Sequence, residues 1–289
     1  MNPALDTLLL AFGPDGLPVP KRAMLLGAEP HPNFNAWPAI TGWQPLKPKA
    51  TAWENSGLPL THTPEGKWPV VLVLPGKSRD ETLVWFTIAR DHLEPGGTII
   101  VSMPNTAGAA RFEKELSRAA RNLSSIQKHK CRAFQITDDG SWDEAVFDEW
   151  RSLGGKRRIE GTSFVTEAGI FSVDHVDPGS LFLEKHLPAS LRGKVADLGA
   201  GWGFLTAAIL RRCPGVSSVD LYEADSRALD CARLNLASDT TLSLASPPCM
   251  LQDEEKVGFH WHDVTTGLPE IYDTIVMNPP FHTGQTTDV

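Results

Sequence analysis

A side-chain amide, two prolines, an aromatic ring and an imidazole stand in a row at Asn278-Pro279-Pro280-Phe281-His282. The apolar run 274–277 leads into them, and two consecutive prolines stop a strand ladder or a helix at that point. The result is a rigid platform that holds a polar fork beside a flat face. Such a platform suits a planar nitrogen heterocycle with an exocyclic amine. The same residues also fit a strand that simply ends in a tight Pro-Pro turn.

A second constellation lies upstream. Asp197-Leu198-Gly199-Ala200-Gly201-Trp202-Gly203 joins an apolar strand at 195–198 to a helix over 204–212. A strand, a glycine-rich turn and a helix let the backbone approach a ligand closely. Dinucleotide-binding folds use G-x-G-x-x-G and seat a pyrophosphate at the helix N-terminus. Here the spacing is G-x-G-x-G, with Asp197 two residues before the first glycine. A carboxylate there repels a pyrophosphate and can engage a cationic amino-acid group, directly or through water. The pattern favours S-adenosylmethionine over a nicotinamide dinucleotide.

The next strand, 218–222, ends at Glu223, 20 residues after Gly203. An acid at the end of a second strand can accept both hydroxyls of a ribose. Asp220 and Asp225 are rivals for that role, and Asp225-Ser226 opens a helix carrying Ala228, Leu229, Ala232 and Leu236. Residues 257–263 read as a third strand. Its last residue, Asp263, is placed to accept an adenine amine, with the Val264 backbone N–H beside it, and reads equally as a cap or turn residue. His260 and His262 lie two apart and so share one strand face. No further ligand set accompanies them, so they read as packing or surface residues and no metal is expected.

These residues need a sheet to position them, and the first half of the chain shows the same grammar without the chemistry. Residues 68–74 and 98–103 are continuous apolar runs, as expected of strands covered on both faces. A helix over 77–92 and a Pro95-Gly96-Gly97 turn separate them, and a second helix is expected over 111–124. Residues 13–69 are rich in proline and tryptophan, and 22–27 within them could form a short strand. The order strand, helix, strand, helix implies βαβ units. Seven basic side chains between Arg111 and Arg132 form either a solvated helix face or a phosphate-contacting surface. No glycine-rich cofactor loop is evident in this half. A short basic, glycine-containing segment at 151–158 marks the boundary, giving domains 1–155 and 156–289.

Composition agrees with two globular domains: 289 residues, 41% hydrophobic, with a formal net charge of −8. Any nucleic-acid surface must therefore be local. Cys131, Cys213, Cys231 and Cys249 are widely spaced and read as buried free thiols. The apolar start at 1–10 lacks a basic n-region, and no run approaches membrane-spanning length. A cytoplasmic, monomeric protein without membrane partners is expected.

Taken together, Asp197 to Gly203, Glu223, Asp263 and Asn278 to His282 resemble the class I S-adenosylmethionine-dependent methyltransferases. The NPPFH form is similar to ribosomal RNA guanine-N2 methyltransferases of the RsmC/RlmG type. Gly169-Ile170-Phe171-Ser172, Asp177-Pro178-Gly179-Ser180 and Leu187-Pro188 agree with the segment that precedes the first strand and flanks the cofactor in that family. The resemblance implies an α/β protein with two Rossmann-like methyltransferase domains in tandem, the first degenerate. The run 70–76 looks like an echo of the NPPFH strand, and the second domain is expected to be truncated after its fourth strand. It implies S-adenosyl-L-methionine at Asp197, Gly199, Gly201, Gly203, Glu223, Asp263 and Asn278. Asn278, Pro279 and Phe281 would be catalytic, and Pro280, Phe281 and His282 would hold the substrate, a guanosine of ribosomal RNA or of a ribosomal subunit. Enzymes that methylate adenine N6 or a protein glutamine share this geometry, and a non-catalytic RNA-binding or assembly protein is a further alternative.

Overall fold

The structure, a computed structural model, describes residues 2–14, 16–237 and 256–279. The chain divides into two compact units, Met1–Gly155 and Lys156–Val289.

The first unit opens with α1 (Pro3–Leu9), capped by the Asn2 side chain, which accepts from the Ala4 N–H. β1 (Ala23–Leu26), β2 (Ile40–Trp43), α2 (Lys47–Asn55), β3 (Leu60–Thr61), β4 (Trp68–Val73) and α3 (Arg79–Asp91) follow. β5 (Leu93–Pro104), α4 (Ala109–Ala119), β6 (Leu123–Lys128), β7 (Cys131–Thr137) and α5 (Glu144–Arg151) complete it. The strands make one sheet in the order β3-β2-β1-β4-β5-β7-β6. β1 to β5 pair in parallel and β7 runs antiparallel to both β5 and β6. The continuous apolar runs follow from burial on two faces. Met24, Leu26, Val71 and Val73 pack with α3, α4 and α5, while Leu25, Val70 and Leu72 pack with α1 and α2.

Two expectations for this unit are corrected. Pro95-Gly96-Gly97 is not a turn between elements but an excursion inside β5. Trp68 pairs with Leu93 and Val70 with Thr98, so the residues between bulge out where the register shifts. The helix expected over 111–124 ends at Ala119, and the chain then enters the β6–β7 hairpin. Its tip is His129-Lys130, both at positive φ (52° and 58°), a primed-turn geometry usually written with Asn or Gly. The proline- and tryptophan-rich stretch is ordered, with Trp43 and Trp53 donating their indole N–H groups to the His62 and Pro59 carbonyls.

The second unit begins with a two-stranded ribbon, β8 (Arg157–Arg158) and β9 (Val165–Thr166). α6 (Pro178–His186), β10 (Arg192–Leu198), α7 (Phe204–Arg212), β11 (Gly215–Glu223), α8 (Ser226–Leu236), β12 (Val257–Trp261) and β13 (Thr274–Met277) follow. Its sheet is parallel, in the order β12-β11-β10-β13, which repeats β3-β2-β1-β4 of the first unit. Val195, Val219 and Val276 pack on α7, and Leu221 packs on α8. The opposite face carries a polar network in which the Tyr272 hydroxyl donates to Asp220 and meets the Tyr222 hydroxyl at 2.6 Å. His260 stacks on Tyr222 and bonds Asp220, and His262 meets Tyr222 edge-on, so both imidazoles are packing residues.

The basic cluster at the junction is engaged in ion pairs. Arg151 bridges Asp91 and Asp148, Lys156 pairs with Glu167, and Arg157 pairs with Asp174. Cys131, Cys213 and Cys231 are buried free thiols, and Cys249 lies outside the described residues.

Candidate active site

A cavity of about 280 Å³ opens at the C-terminal ends of β10, β11 and β13, where parallel α/β sheets bind ligands. Gly199, Ala200, Gly201 and Trp202 form one wall, and Glu223 and Asn278 come from the neighbouring strand ends. Phe171, Ser172, Asp177 and Ser180 close the other side.

The turn after β10 needs glycine for two different reasons. Gly199 and Gly201 sit at φ +66° and +55°, and a Cβ added to either would meet nothing within 4 Å. Their backbones therefore face open space that a ligand can approach. Gly203, at φ +89°, packs instead: a Cβ there would press on Ala232 and Leu236 at 3.2 Å. It seats α7 against α8 and does not line the cavity. The turn is held from behind by Asn235 of α8, whose amide donates to the Trp202 and Val165 carbonyls and accepts from the Val165 N–H. Trp202 packs with Phe164 and Phe204, ring centroids 5.1 and 5.7 Å away.

Two acids supply the site's charge. Glu223 accepts the Gly201 N–H on one oxygen at 2.7 Å and the Asp225 N–H on the other at 2.8 Å. It therefore shapes the glycine turn as well as facing the cavity. Burial raises its pKa, opposed by those backbone bonds. Asp197 is fully enclosed and does not form the cavity wall. Its Oδ2 takes the Thr206 hydroxyl at 2.6 Å, and its Oδ1 is buried without a hydrogen-bond partner among the described residues. Burial pushes its pKa from 3.8 up to about 6, with the Glu223 charge adding to the rise. A buried negative pole with an open oxygen stands directly before the turn.

Of the three acids considered near the end of β11, only Glu223 lines the cavity. Asp220 lies on the other sheet face, and Asp225 caps α8 through the Arg227 N–H and forms an ion pair with that arginine. Asp263 ends the strand region as a cap: its Oδ1 accepts the N–H and hydroxyl of Thr265, and it is not part of the cavity wall.

Asn278 follows β13 and reaches the cavity with its amide held. Nδ2 donates to Asp177 Oδ2 at 2.8 Å and to Ser180 Oγ at 2.9 Å. Asp177 is the N-cap of α6 and accepts the Ser180 N–H on the same oxygen. This Asp177–Ser180–Asn278 clasp was not foreseen as a unit. The signal available was a helix start, with aspartate as cap and proline in the first turn. Pro279 is described, whereas Pro280, Phe281 and His282 lie outside the described residues.

Residues 161–289 match the family described as Methyltransferase small domain. The chain is 26% identical over 227 residues to ribosomal RNA small subunit methyltransferase C of Psychromonas ingrahamii, covering 78% of this chain and 60% of that protein. The protein of the same description from Shewanella sp. (strain W3-18-1) is 28% identical over 223 residues, covering 76% of this chain and 60% of that one. This chain thus spans about 60% of the length of these relatives. A solved structure of the T. thermophilus 16S rRNA N2 methyltransferase RsmC with AdoMet and guanosine shares the fold. Its TM-score is 0.73 at 21% identity, over 98% of this chain and 76% of that one. Residues 161–289 are thus similar to a methyltransferase small domain, and the strand order of their sheet is repeated in the first unit.

Proposed function

We propose that this protein transfers a methyl group from S-adenosyl-L-methionine to the exocyclic N2 amine of a guanosine in ribosomal RNA. The observation that carries this reading is the Asn278 amide. Both its N–H bonds are taken by Asp177 and Ser180, which leaves Oδ1 as the open acceptor of a residue that lines the cavity with the glycine turn and Glu223.

The residues present fit the cofactor. Gly199 and Gly201 form a cradle that a Cβ would fill, Glu223 offers carboxylate lone pairs to ribose hydroxyls, and Asp197 carries an unpartnered oxygen behind the turn. Two acids held above their ordinary range favour a cationic ligand. When bound, S-adenosylmethionine supplies an electrophilic methyl group on a sulfonium centre. The protein's own residues prepare the acceptor. The lone pair of a guanine N2 amine is delocalised into the ring. Asn278 Oδ1 and the Pro279 carbonyl accept its two N–H bonds and localise that lone pair on nitrogen. Phe281 would stack on the extruded base, and Pro280 and His282 would be its further substrate contacts. Asp263, with Oδ1 committed to Thr265, offers its second oxygen to the adenine amine. Holding the two reacting groups in line provides much of the rate.

The RNA partner needs a basic surface on a chain of net charge −8. Within the basic run of the first unit, Arg118 is neutralised by Glu115 and Glu149, and Arg132 by Glu113. Lys114, Arg121, Lys128 and Lys130 are exposed and make no ion pair among the described residues, and they form the phosphate-contacting patch. No helix among the described residues is long and apolar enough to cross a membrane. The protein acts as a cytoplasmic monomer on ribosomal RNA or a ribosomal subunit.

The test is methyl transfer from labelled S-adenosylmethionine to deproteinised ribosomal RNA, followed by nucleoside analysis. Label in N2-methylguanosine, lost in Asn278→Ala and Phe281→Ala, is the expected result. Label in N6-methyladenosine, or normal turnover by both variants, refutes the proposal.

A further inference from the structure

We propose that Asp177 and Ser180 are positioning residues that set the rotation of the Asn278 amide and thereby select for an exocyclic amine. The inference rests on the reading of Asn278 as the acceptor for the substrate amine, and it assigns a cause to that role. An asparagine amide has two faces of similar shape and opposite polarity: turned one way it offers an oxygen to the cavity, turned the other way an NH2 group. Only the first accepts from an amine. The second would present a donor to a donor and would suit a ring carbonyl instead.

Three features of the clasp decide between them. An ionised carboxylate only accepts, so Asp177 Oδ2, 2.8 Å from the amide, admits Nδ2 and repels Oδ1. Ser180 Oγ takes the second Nδ2 hydrogen at 2.9 Å, so both donors of the amide are spent on the protein. Asp177 is itself fixed, since the same oxygen caps α6 through the Ser180 N–H at 2.9 Å. Oδ1 accepts no hydrogen bond among the described residues and remains available to a ligand. A charge-assisted bond thus converts an ambiguous side chain into a one-sided acceptor.

The substrate chemistry follows. A purine with an amine at the position facing Asn278 gains a hydrogen bond, and the same purine without that amine leaves Oδ1 unpaired, which is costly in a closed site. Guanosine and inosine differ in that amine alone, and the clasp therefore makes the site prefer guanosine to inosine.

The experiment uses the full chain. Calorimetry measures guanosine and inosine binding to the wild type and to Asp177→Ala, Asp177→Asn and Ser180→Ala, with S-adenosylmethionine affinity and Tm as controls. The wild type prefers guanosine by about tenfold or more, as expected where a built polar site meets an analogue lacking the group. Asp177→Ala and Ser180→Ala reduce that preference towards unity when both nucleosides are compared at the same saturating S-adenosylmethionine concentration. Asp177→Asn restores it, because an amide oxygen in the place of Oδ2 still caps α6 and still accepts from Asn278. Ser180→Ala keeps the cap, so a fold defect in Asp177→Ala does not blunt the test. If all three variants keep the wild-type preference, the positioning role is overturned while the proposed function stands. If the wild type itself fails to distinguish guanosine from inosine, the guanine-N2 reading of the site falls first.

Discussion

The clasp around Asn278 makes a prediction of unusual sign at Gly179, the second residue of α6. Its φ is not in the left-handed region, so alanine can adopt the same backbone there. Alanine also lowers the conformational entropy of the unfolded chain and favours helix, by up to about 1 kcal/mol in a helix interior and less in a first turn. By local reasoning Gly179→Ala is neutral to stabilising. The new Cβ, however, would stand 2.8 Å from Asn278 Oδ1 and 2.9 Å from Asp177 Oδ2, against ordinary contact at 3.4 Å and beyond. Both atoms are side-chain ends, so they give way before the backbone does. They retreat by roughly half an ångström, which stretches the bonds that hold the amide. A misplacement of about 1 Å costs about a hundredfold in rate, so half of that costs about tenfold. The expected outcome is a single-turnover transfer rate down about tenfold with S-adenosylmethionine affinity unchanged and Tm equal or higher. A wild-type rate refutes the reasoning, and so does a rate loss that tracks a drop in Tm, because that would place the damage in the helix.

Three other outcomes follow from the same site. Asp197, raised from 3.8 to about 6 by burial, takes up a proton in the folded state before the unfolded one as pH falls. Wild-type stability therefore carries a penalty, on the order of 3 kcal/mol, that is fully present above about pH 6 and disappears as pH falls towards 4. Asp197→Asn removes this pH dependence, so urea titrations of the two proteins should diverge as pH rises through that window, and parallel curves would exclude the buried charge. Glu223→Gln keeps one acceptor but turns an NH2 group towards the Gly201 or the Asp225 N–H, so calorimetry should show cofactor affinity lower by at least about tenfold. Asn235→Ala removes three hydrogen bonds behind the glycine turn and should destabilise the second unit by about 3 kcal/mol, read in thermal unfolding.

Local signals carried much of the fold and a good part of the site. β4 and the body of β5 are apolar on both faces because both faces are covered, and that is visible as a run of Val, Ile and Leu. The turn after β10 is legible because close ligand approach demands glycine in a fixed place. The β6–β7 hairpin was hidden for a physical reason: β6 is largely exposed and polar, and its turn uses His129 and Lys130 where Asn-Gly would have announced it. The order between β1 and β4 depends on indole donors reaching carbonyls 6 and 19 residues away, which no periodicity records. The clasp joins positions 98 and 101 residues apart, so the residues could be named but their bond could not.

The first unit repeats the fold of the second without repeating the side chains proposed for a ligand. Its sheet registers match those of the second at the decisive points: Leu26 pairs with Trp43 and Val73 as Leu198 pairs with Tyr222 and Met277. Gly27 and Ala28 donate to the Trp43 carbonyl as Gly199 and Ala200 donate to that of Tyr222. Counting outward from these pairs, Leu25 stands for Asp197, Glu29 for Gly201, Gln44 for Glu223 and Leu74 for Asn278. The two acids, the second glycine and the amide proposed for a ligand are thereby replaced, yet the internal bonds survive in altered form. Gln44 accepts the Leu46 N–H two residues on, as Glu223 accepts that of Asp225, and its Nε2 donates back to the Ala28 carbonyl. The turn itself is closed, since a Cβ on Gly27 would collide with the Leu74 carbonyl and the Trp85 ring where Gly199 and Gly201 face open space. Restoring the acid alone would set a carboxylate against the Ala28 carbonyl oxygen, two acceptors with no proton between them. At these matched positions the first unit pairs its side chain internally where the second leaves Asp197 Oδ1 and Asn278 Oδ1 open, and the proposed methyl transfer is placed in Lys156–Val289 on that difference.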